Sequence, residues 1–123
     1  MKFRVTRHVN QLKKLKDFYI DLLGCCEIAR FDDNENYSGI IFGDESGCWE
    51  LEFTVSDVPV TRVCDEDDLI VLYIDDESKY NKIMERCAKA KIIEFAPRNP
   101  YWEGKSKLLK DPEGNRILIV KPV

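Results

Sequence analysis

Residues 107–120 read KLLKDPEGNRILIV, two short apolar runs on either side of a polar turn. Within Asp111-Pro112-Glu113-Gly114-Asn115, proline presets one backbone angle and glycine accepts a left-handed one, so the chain reverses. The Leu-, Ile- and Val-rich flanks predict a closing β-hairpin. Upstream, Ile40-Ile41-Phe42-Gly43, a polar turn and Trp49-Glu50-Leu51-Glu52-Phe53 follow the same plan. The pair suggests a duplicated architecture, in which Glu52 of one hairpin is set against Leu118 of the other.

The remaining elements follow from periodicity. Residues 3–8 alternate, with Phe3 and Val5 on one face and Arg4, Thr6 and His8 on the other, as in a half-buried strand. Asn10 is a candidate N-cap for a helix in which Leu12, Leu15, Phe18, Tyr19, Leu22 and Leu23 recur at helical spacing. Gly24 is its natural stop, and Lys13, Lys14 and Lys16 form its solvated face. Strands are expected over 25–31, 37–42 and 48–55. Gly39, inside the second of these, marks a bulge or a close approach by another group. On 48–55, Trp49, Leu51 and Phe53 share one face and Glu50, Glu52 and Thr54 the other, with Glu50 expected to be exposed or at a rim.

An acid-rich linker without a period covers about 58–67, after a first module of about 1–57. The pattern then restarts in a second module of about 68–123. It has a fully apolar strand over 69–74, then a helix capped by Asp75 or Asp76 and carrying Tyr80, Ile83, Met84 and Cys87 on its inner stripe. A strand over 92–96, a loop over 97–104 holding Tyr101 and Trp102, and the closing hairpin complete it. Each half reads strand, helix, strand, strand, strand. The expected class is α+β: two tandem βαβββ modules forming a curved mixed sheet, with helices outside and a concave, partly polar ligand surface.

Composition narrows the function classes. At 123 residues and 44% hydrophobic the chain is of globular type, not disordered. Its net charge of −4 is spread without a basic stripe, which counts against nucleic acid as a partner. The apolar runs are too short to span a bilayer and no export-type apolar region follows Met1, so no membrane partner and a cytoplasmic location are expected. Five cysteines, an odd count with no CxxC, predict free and mostly buried thiols. The acid runs at 65–68 and 75–77 lack calcium-loop spacing and read as a solvated loop and a helix cap. Phosphate-binding glycine loops, GxSxG and the dinucleotide fingerprint are absent.

The doubled βαβββ order, Phe18-Tyr19 with Leu23-Gly24, Leu51-Glu52 and the terminal DPEGNRI together resemble the vicinal oxygen chelate superfamily. That group includes glyoxalase I, bleomycin resistance proteins and extradiol dioxygenases. NYSGIIFG (36–43), LEFT (51–54), DDLIVLYI (67–74) and NPYW (99–102) further resemble its YycE-like branch. The resemblance implies metal ligands on the first and last strands of each half. The usual His or Gln falls on Arg4, whose guanidinium stays protonated and offers no lone pair. His8 shares the strand parity of Arg4 and could substitute only with a shifted register. The usual Glu matches Glu52, the second-half His falls at or next to Leu69, and the final Glu falls on Leu118. One carboxylate beside an arginine does not make a divalent-metal site. No cofactor is therefore expected, with a divalent metal as the runner-up.

What the resemblance leaves is a ligand cavity lined by Leu69, Val71 and Leu118, with a Glu52–Arg4 ion pair and Arg116 as a second partner. Glu52 and His8 are the candidates for catalysis, set against a structural salt bridge for Glu52 and a strand-end histidine for His8. Tyr101 and Trp102 either line the pocket or cover a sheet edge or subunit contact, and Tyr73 either faces the cavity or is a core tyrosine. Three functions follow. The first is a metal-free protein that binds a small organic molecule, as bleomycin resistance proteins do. The second is a metal-dependent lyase, isomerase or dioxygenase with an atypical ligand set. The third is a non-catalytic dimeric scaffold. The family implies a homodimer.

Overall fold

In a computed structural model describing residues 1–123, the chain divides into two units, Met1–Arg62 and Val63–Val123. Both belong to the α+β class. No helix is long and apolar enough to cross a membrane.

The first unit contains β1 (Phe3–His8), a short helix α1 (Lys13–Lys16) continuing as a π-helical turn (Asp17–Leu22), β2 (Cys26–Asn34), β3 (Tyr37–Gly43) and β4 (Trp49–Val55). Its sheet runs β1-β4-β3-β2, with β1 parallel to β4 and the other pairs antiparallel. Strand alternation puts Ile40, Phe42, Leu51 and Phe53 on one face, and all four are buried. The helical segment covers that face. The Tyr19 ring stacks on Phe42 at 5.1 Å between centroids and lies 5.2 Å from Phe53. Such aromatic pairs add about 0.5–1.5 kcal/mol each beyond the area they bury. Gly24, at φ +78, ends the helix as its sequence position predicts. Its N–H donates to the Ile20 carbonyl at 3.1 Å and that of Cys25 to Tyr19 at 2.8 Å.

Three expectations for this unit are corrected. The helix begins at Lys13, so Asn10 is too far upstream to cap it; its Oδ1 accepts instead from the Val60 N–H at 2.9 Å. Phe3, at the open end of β1, is 62% exposed and adds nothing to the core. The strand expected over 25–31 runs on to Asn34, because the turn tightens to Glu35-Asn36, both with positive φ, the geometry of a two-residue hairpin loop. The glycine in β3 answers to a close approach. A Cβ on Gly39 would sit 2.3 Å from Cζ of Phe31, the residue paired with it across the β2–β3 ladder.

The second unit contains β5 (Leu69–Tyr73), α2 (Glu77–Lys89), a 3-10 turn (Pro100–Trp102), β6 (Ser106–Lys110) and β7 (Arg116–Val120), with strand order β5-β7-β6 and β5 parallel to β7. Asp76 caps α2 by accepting from the Lys79 N–H at 3.1 Å. Ile83 and Cys87 are buried beneath that helix's inner stripe. The expected strand over 92–96 is reduced to a single bridge, Phe95 to Leu108, with the Phe95 N–H 2.9 Å from the Leu108 carbonyl. The next ladder donor in an antiparallel pair lies two residues on, and residue 97 is a proline with no N–H to give.

The DPEGN turn is held by more than its proline and glycine. Asp111 is buried, and its Oδ1 accepts from the N–H groups of Glu113 and Asn115, both at 2.9 Å. Its Oδ2 accepts from the Asn115 side-chain amide at 2.9 Å. Gly114 takes φ +83. Behind the turn, Leu118 lies opposite Val71 and Leu108 and is completely buried, a core residue rather than the expected pocket wall.

All five cysteines are free, but only Cys87 is fully buried. Cys26 sits on β2, an edge strand, and Cys48 in the turn before β4, so both are exposed, contrary to the expectation for most thiols. Burial pushes the Cys25 thiol up to about 12, helped by Cys26 and Asp44 beside it.

The Gly39–Phe31 contact predicts a coupled pair. Gly39→Ala should destabilise by about 1–3 kcal/mol through overpacking, and by clearly less in a Phe31→Ala background. Urea unfolding of the four proteins measures this, and equal costs in both backgrounds would show that the ring does not press on the glycine.

Candidate functional site

The polar face of the first unit is set by the parallel ladder between β1 and β4. Its register pairs Arg4 with Glu50, Thr6 with Glu52 and His8 with Thr54. Since side chains alternate along each strand, all six project from the same face.

Glu50 lies at the centre of this face. Its side chain is only 4% exposed, so the expectation of an exposed or rim position is corrected. Arg4 grips it with two nitrogens, Nε at 2.8 Å and a terminal nitrogen at 2.7 Å from Oε1, while Lys2 Nζ lies 2.9 Å from Oε2. A desolvated carboxylate needs such partners. The hydrogen bonds from Lys2, then from Arg4, hold the Glu50 carboxyl below its ordinary range, and Glu50 in turn raises Arg4.

The expected Glu52–Arg4 pair is looser, at 3.8 Å. The close partner of Glu52 is Thr6, whose hydroxyl donates to Oε1 at 2.8 Å. His8 turns to another neighbour, with Nε2 3.0 Å from the Ser56 hydroxyl, and its carbonyl accepts from Arg62 at 2.7 Å. Glu52 and His8 therefore do not share a partner. Within each unit, no three His, Cys, Asp or Glu side chains converge as a metal would require. The guanidinium beside Glu52 brings a positive charge and no lone pair to this place. These residues do not fit a divalent metal.

In the second unit, Tyr73, Tyr101 and Trp102 come together. Tyr73 ends β5, and the Pro100–Trp102 turn brings the other two alongside it. Ring centroids are 6.4 Å apart for Tyr73 and Trp102 and 4.9 Å for Tyr101 and Trp102, the latter edge to face. Lys105 Nζ lies 3.8 Å from the Tyr101 ring centroid. The turn is braced at both ends. Asn99 Oδ1 accepts from the Tyr101 N–H at 3.0 Å, and the Ser106 hydroxyl donates to the Trp102 carbonyl at 2.8 Å. Tyr73 and Tyr101 remain 71% and 61% exposed.

A cavity of about 370 Å³ adjoins this cluster, with Trp102, Tyr80, Phe95 and Pro97 in its walls. Sequence reasoning placed Tyr80 on the inner stripe of α2 but did not connect it with the loop. Phe95 reaches the cavity through its bridge to β6. Arg116 and Leu118 do not join the aromatic group. Arg116 sits at the opposite end of the β5–β7 ladder from Tyr73, and its guanidinium donates to the Cys64 and Asp65 carbonyls at 3.2 and 3.1 Å.

Comparison with known proteins agrees with this architecture. Residues 3–54 match the YycE-like N-terminal domain and residues 67–121 the YycE-like C-terminal domain. The uncharacterized protein YycE of Bacillus subtilis (strain 168) is 29% identical over 121 residues, covering 95% of this chain and 85% of its own. The crystal structure of a YycE protein of unknown function from Bacillus subtilis superposes with a TM-score of 0.85 at 28% identity, covering 97% and 88% of the two chains. The trypanothione-dependent glyoxalase I of Leishmania major superposes at 0.72 with 19% identity, covering 96% and 84%. TnmS3, an antibiotic binding protein from Streptomyces sp. CB03234, superposes at 0.68 with 20% identity, covering 100% and 96%. The last two share the fold with this chain.

The ion cluster predicts an acid-labile contribution to stability. Because the folded Glu50 carboxyl lies below its unfolded value, its stabilisation is complete above the unfolded pKa of about 4.3 and is lost as pH falls through the depressed folded value. Glu50→Gln should lower the melting temperature at neutral pH and make its fall below about pH 4.3 shallower. Asp44 and Asp65, also held low, leave a residual slope. A variant whose melting temperature parallels the parent across that range would mean that Glu50 is unpaired in solution.

Proposed function

Since the chain belongs to the YycE-like family of the vicinal oxygen chelate fold, we propose that it binds a small, planar organic molecule without a divalent metal. The observation that carries this is the braced aromatic group of Tyr73, Tyr101 and Trp102, which leaves two large rings open to solvent. Exposed aromatic surface is removed from water when a flat ligand stacks on it, and the edge-to-face pair presents a ring face and a ring edge at once. The adjoining cavity is of the size that ligand sites occupy at their small end.

The metal-free half of the proposal rests on Arg4, which stands where a ligand would be needed and is held by Glu50. Glu52 and His8 are engaged with Thr6 and Ser56, so no catalytic step is assigned to either. TnmS3 is an antibiotic binding protein of the same fold, and binding of a small organic molecule is the class of activity the two would share. The cytoplasmic location and the homodimer belong to the same proposal.

A thermal-shift series with planar aromatic probes tests it. A probe at 100 times its dissociation constant should stabilise the protein by about 2.7 kcal/mol. Trp102→Ala should weaken binding about two- to tenfold. No shift with any planar probe, or unchanged binding in both Trp102→Ala and Tyr73→Ala, would overturn the binding half. Stoichiometric zinc, nickel, manganese or iron in protein purified without chelator or histidine tag, lost on Glu52→Ala, would overturn the metal-free half.

A further inference from the structure

We propose that the ligand is an aromatic anion, a planar ring carrying a carboxylate or similar group, read by the lysines beside the Trp102 cavity. The inference rests on the planar-ligand proposal and specifies its ligand.

The charges around the cavity carry it. Lys107 and Lys121 line the cavity, as do Glu94 and Glu103. Lys107 and Glu94 neutralise one another at 3.1 Å. Lys121 has no carboxylate within ion-pair distance, and the same holds for Lys105, whose ammonium rests on the Tyr101 ring. The two lysines are neighbours across the sheet end, since the Lys121 N–H donates to the Lys105 carbonyl at 3.1 Å. The lining itself is balanced, Lys107 and Lys121 against Glu94 and Glu103, and Lys105 on the neighbouring Tyr101 ring adds one positive charge beside it, in a chain whose net charge is −4. Neither Lys105 nor Lys121 has its charge balanced by a carboxylate, and an anion within reach of both side chains supplies that balance.

The cavity also supplies a neutral donor. Burial pushes the Tyr80 phenol above its ordinary value, so it stays protonated at neutral pH and can donate to an anionic oxygen. Trp102 is shared between the cavity wall and the exposed aromatic group. A ring stacked on the aromatic group and a carboxylate turned toward the lysines therefore form one continuous site. Arg4, in the first unit, is not a candidate for this task, because its guanidinium is already held by Glu50.

Isothermal titration of the intact protein with 2-naphthoate and 2-naphthamide separates the two levels. The ring is the same and only the charge differs. The acid should bind about three- to tenfold more tightly than the amide, and added salt should weaken the acid alone. Lys121→Gln, a substitution on an exposed side chain, should remove most of that preference while leaving amide binding in place. Equal binding of acid and amide, or a preference unaffected by both Lys121→Gln and Lys107→Gln, would overturn the inference and leave the planar-ligand proposal standing. Binding of neither probe would overturn that proposal and the inference with it.

Discussion

The contact of two Arg4 nitrogens with one Glu50 oxygen fixes what the first unit can do. It follows from two simple periodicities, the twofold alternation of side chains on a strand and the one-to-one register of a parallel ladder. Once β1 lies parallel to β4 with Arg4 opposite Glu50, Thr6 must face Glu52 and both carboxylates must share a face. Two carboxylates two residues apart on one strand repel, and one of them is almost wholly removed from water. A fixed cation next to both is the internal solution to that repulsion. A divalent metal would be another, but the guanidinium does the same electrostatic work while offering no lone pair. Arg4 thus neutralises the two carboxylates and, by the same chemistry, cannot act as a metal ligand.

The second unit repeats the ladder and discards its charge. Its last strand again runs parallel to its first, and Val71 opposite Leu118 stands where the first unit has Thr6 opposite Glu52. With no polar pair to satisfy, that position closes into the core. Polarity moves to the ends of the strands: to the buried Asp111 that gathers three donors at one end, and to Tyr73 and the lysines at the other. The ladder plan recurs in both units because it depends on patterned apolar residues. The chemistry of the two units differs because it depends on single positions.

Those dependencies decide what could be read from the sequence. Helix and strand periods indicate most of the order of elements, a helix cap at Asp75 or Asp76 and the Gly24 stop, all of which depend on residues close together in the chain. The strand expected over 92–96 failed on a local signal that was present, since Pro97 cannot donate the next ladder bond. Glu50 was misplaced for a different reason. Its parity with Glu52 was evident, but its partners Lys2 and Arg4 lie more than forty residues away, and pairing across such a distance is a matter of register that alternation alone leaves open. Leu118 shows the same limit, because an apolar residue on a strand face suits a pocket wall and a core equally well. The aromatic group was legible as residue types in a loop, whereas the brace from Asn99 and Ser106 and the addition of Tyr80 were not.

That brace bears on why exposed rings are tolerated at all. A flexible loop carrying Tyr101 and Trp102 would gain by collapsing its rings onto the nearest apolar surface. Here the capped turn and the Ser106 bond fix the backbone, and Lys105 rests on the Tyr101 ring, a residue that stays 61% exposed. The rings are therefore held in place by polar contacts with residues nearby in the chain. A ligand that stacks on rings already immobilised pays little of the ordering entropy that usually offsets buried area. The rigidity of the aromatic group thus comes from a short, locally bonded turn, whereas the Glu50 cluster depends on strand register over a long sequence separation.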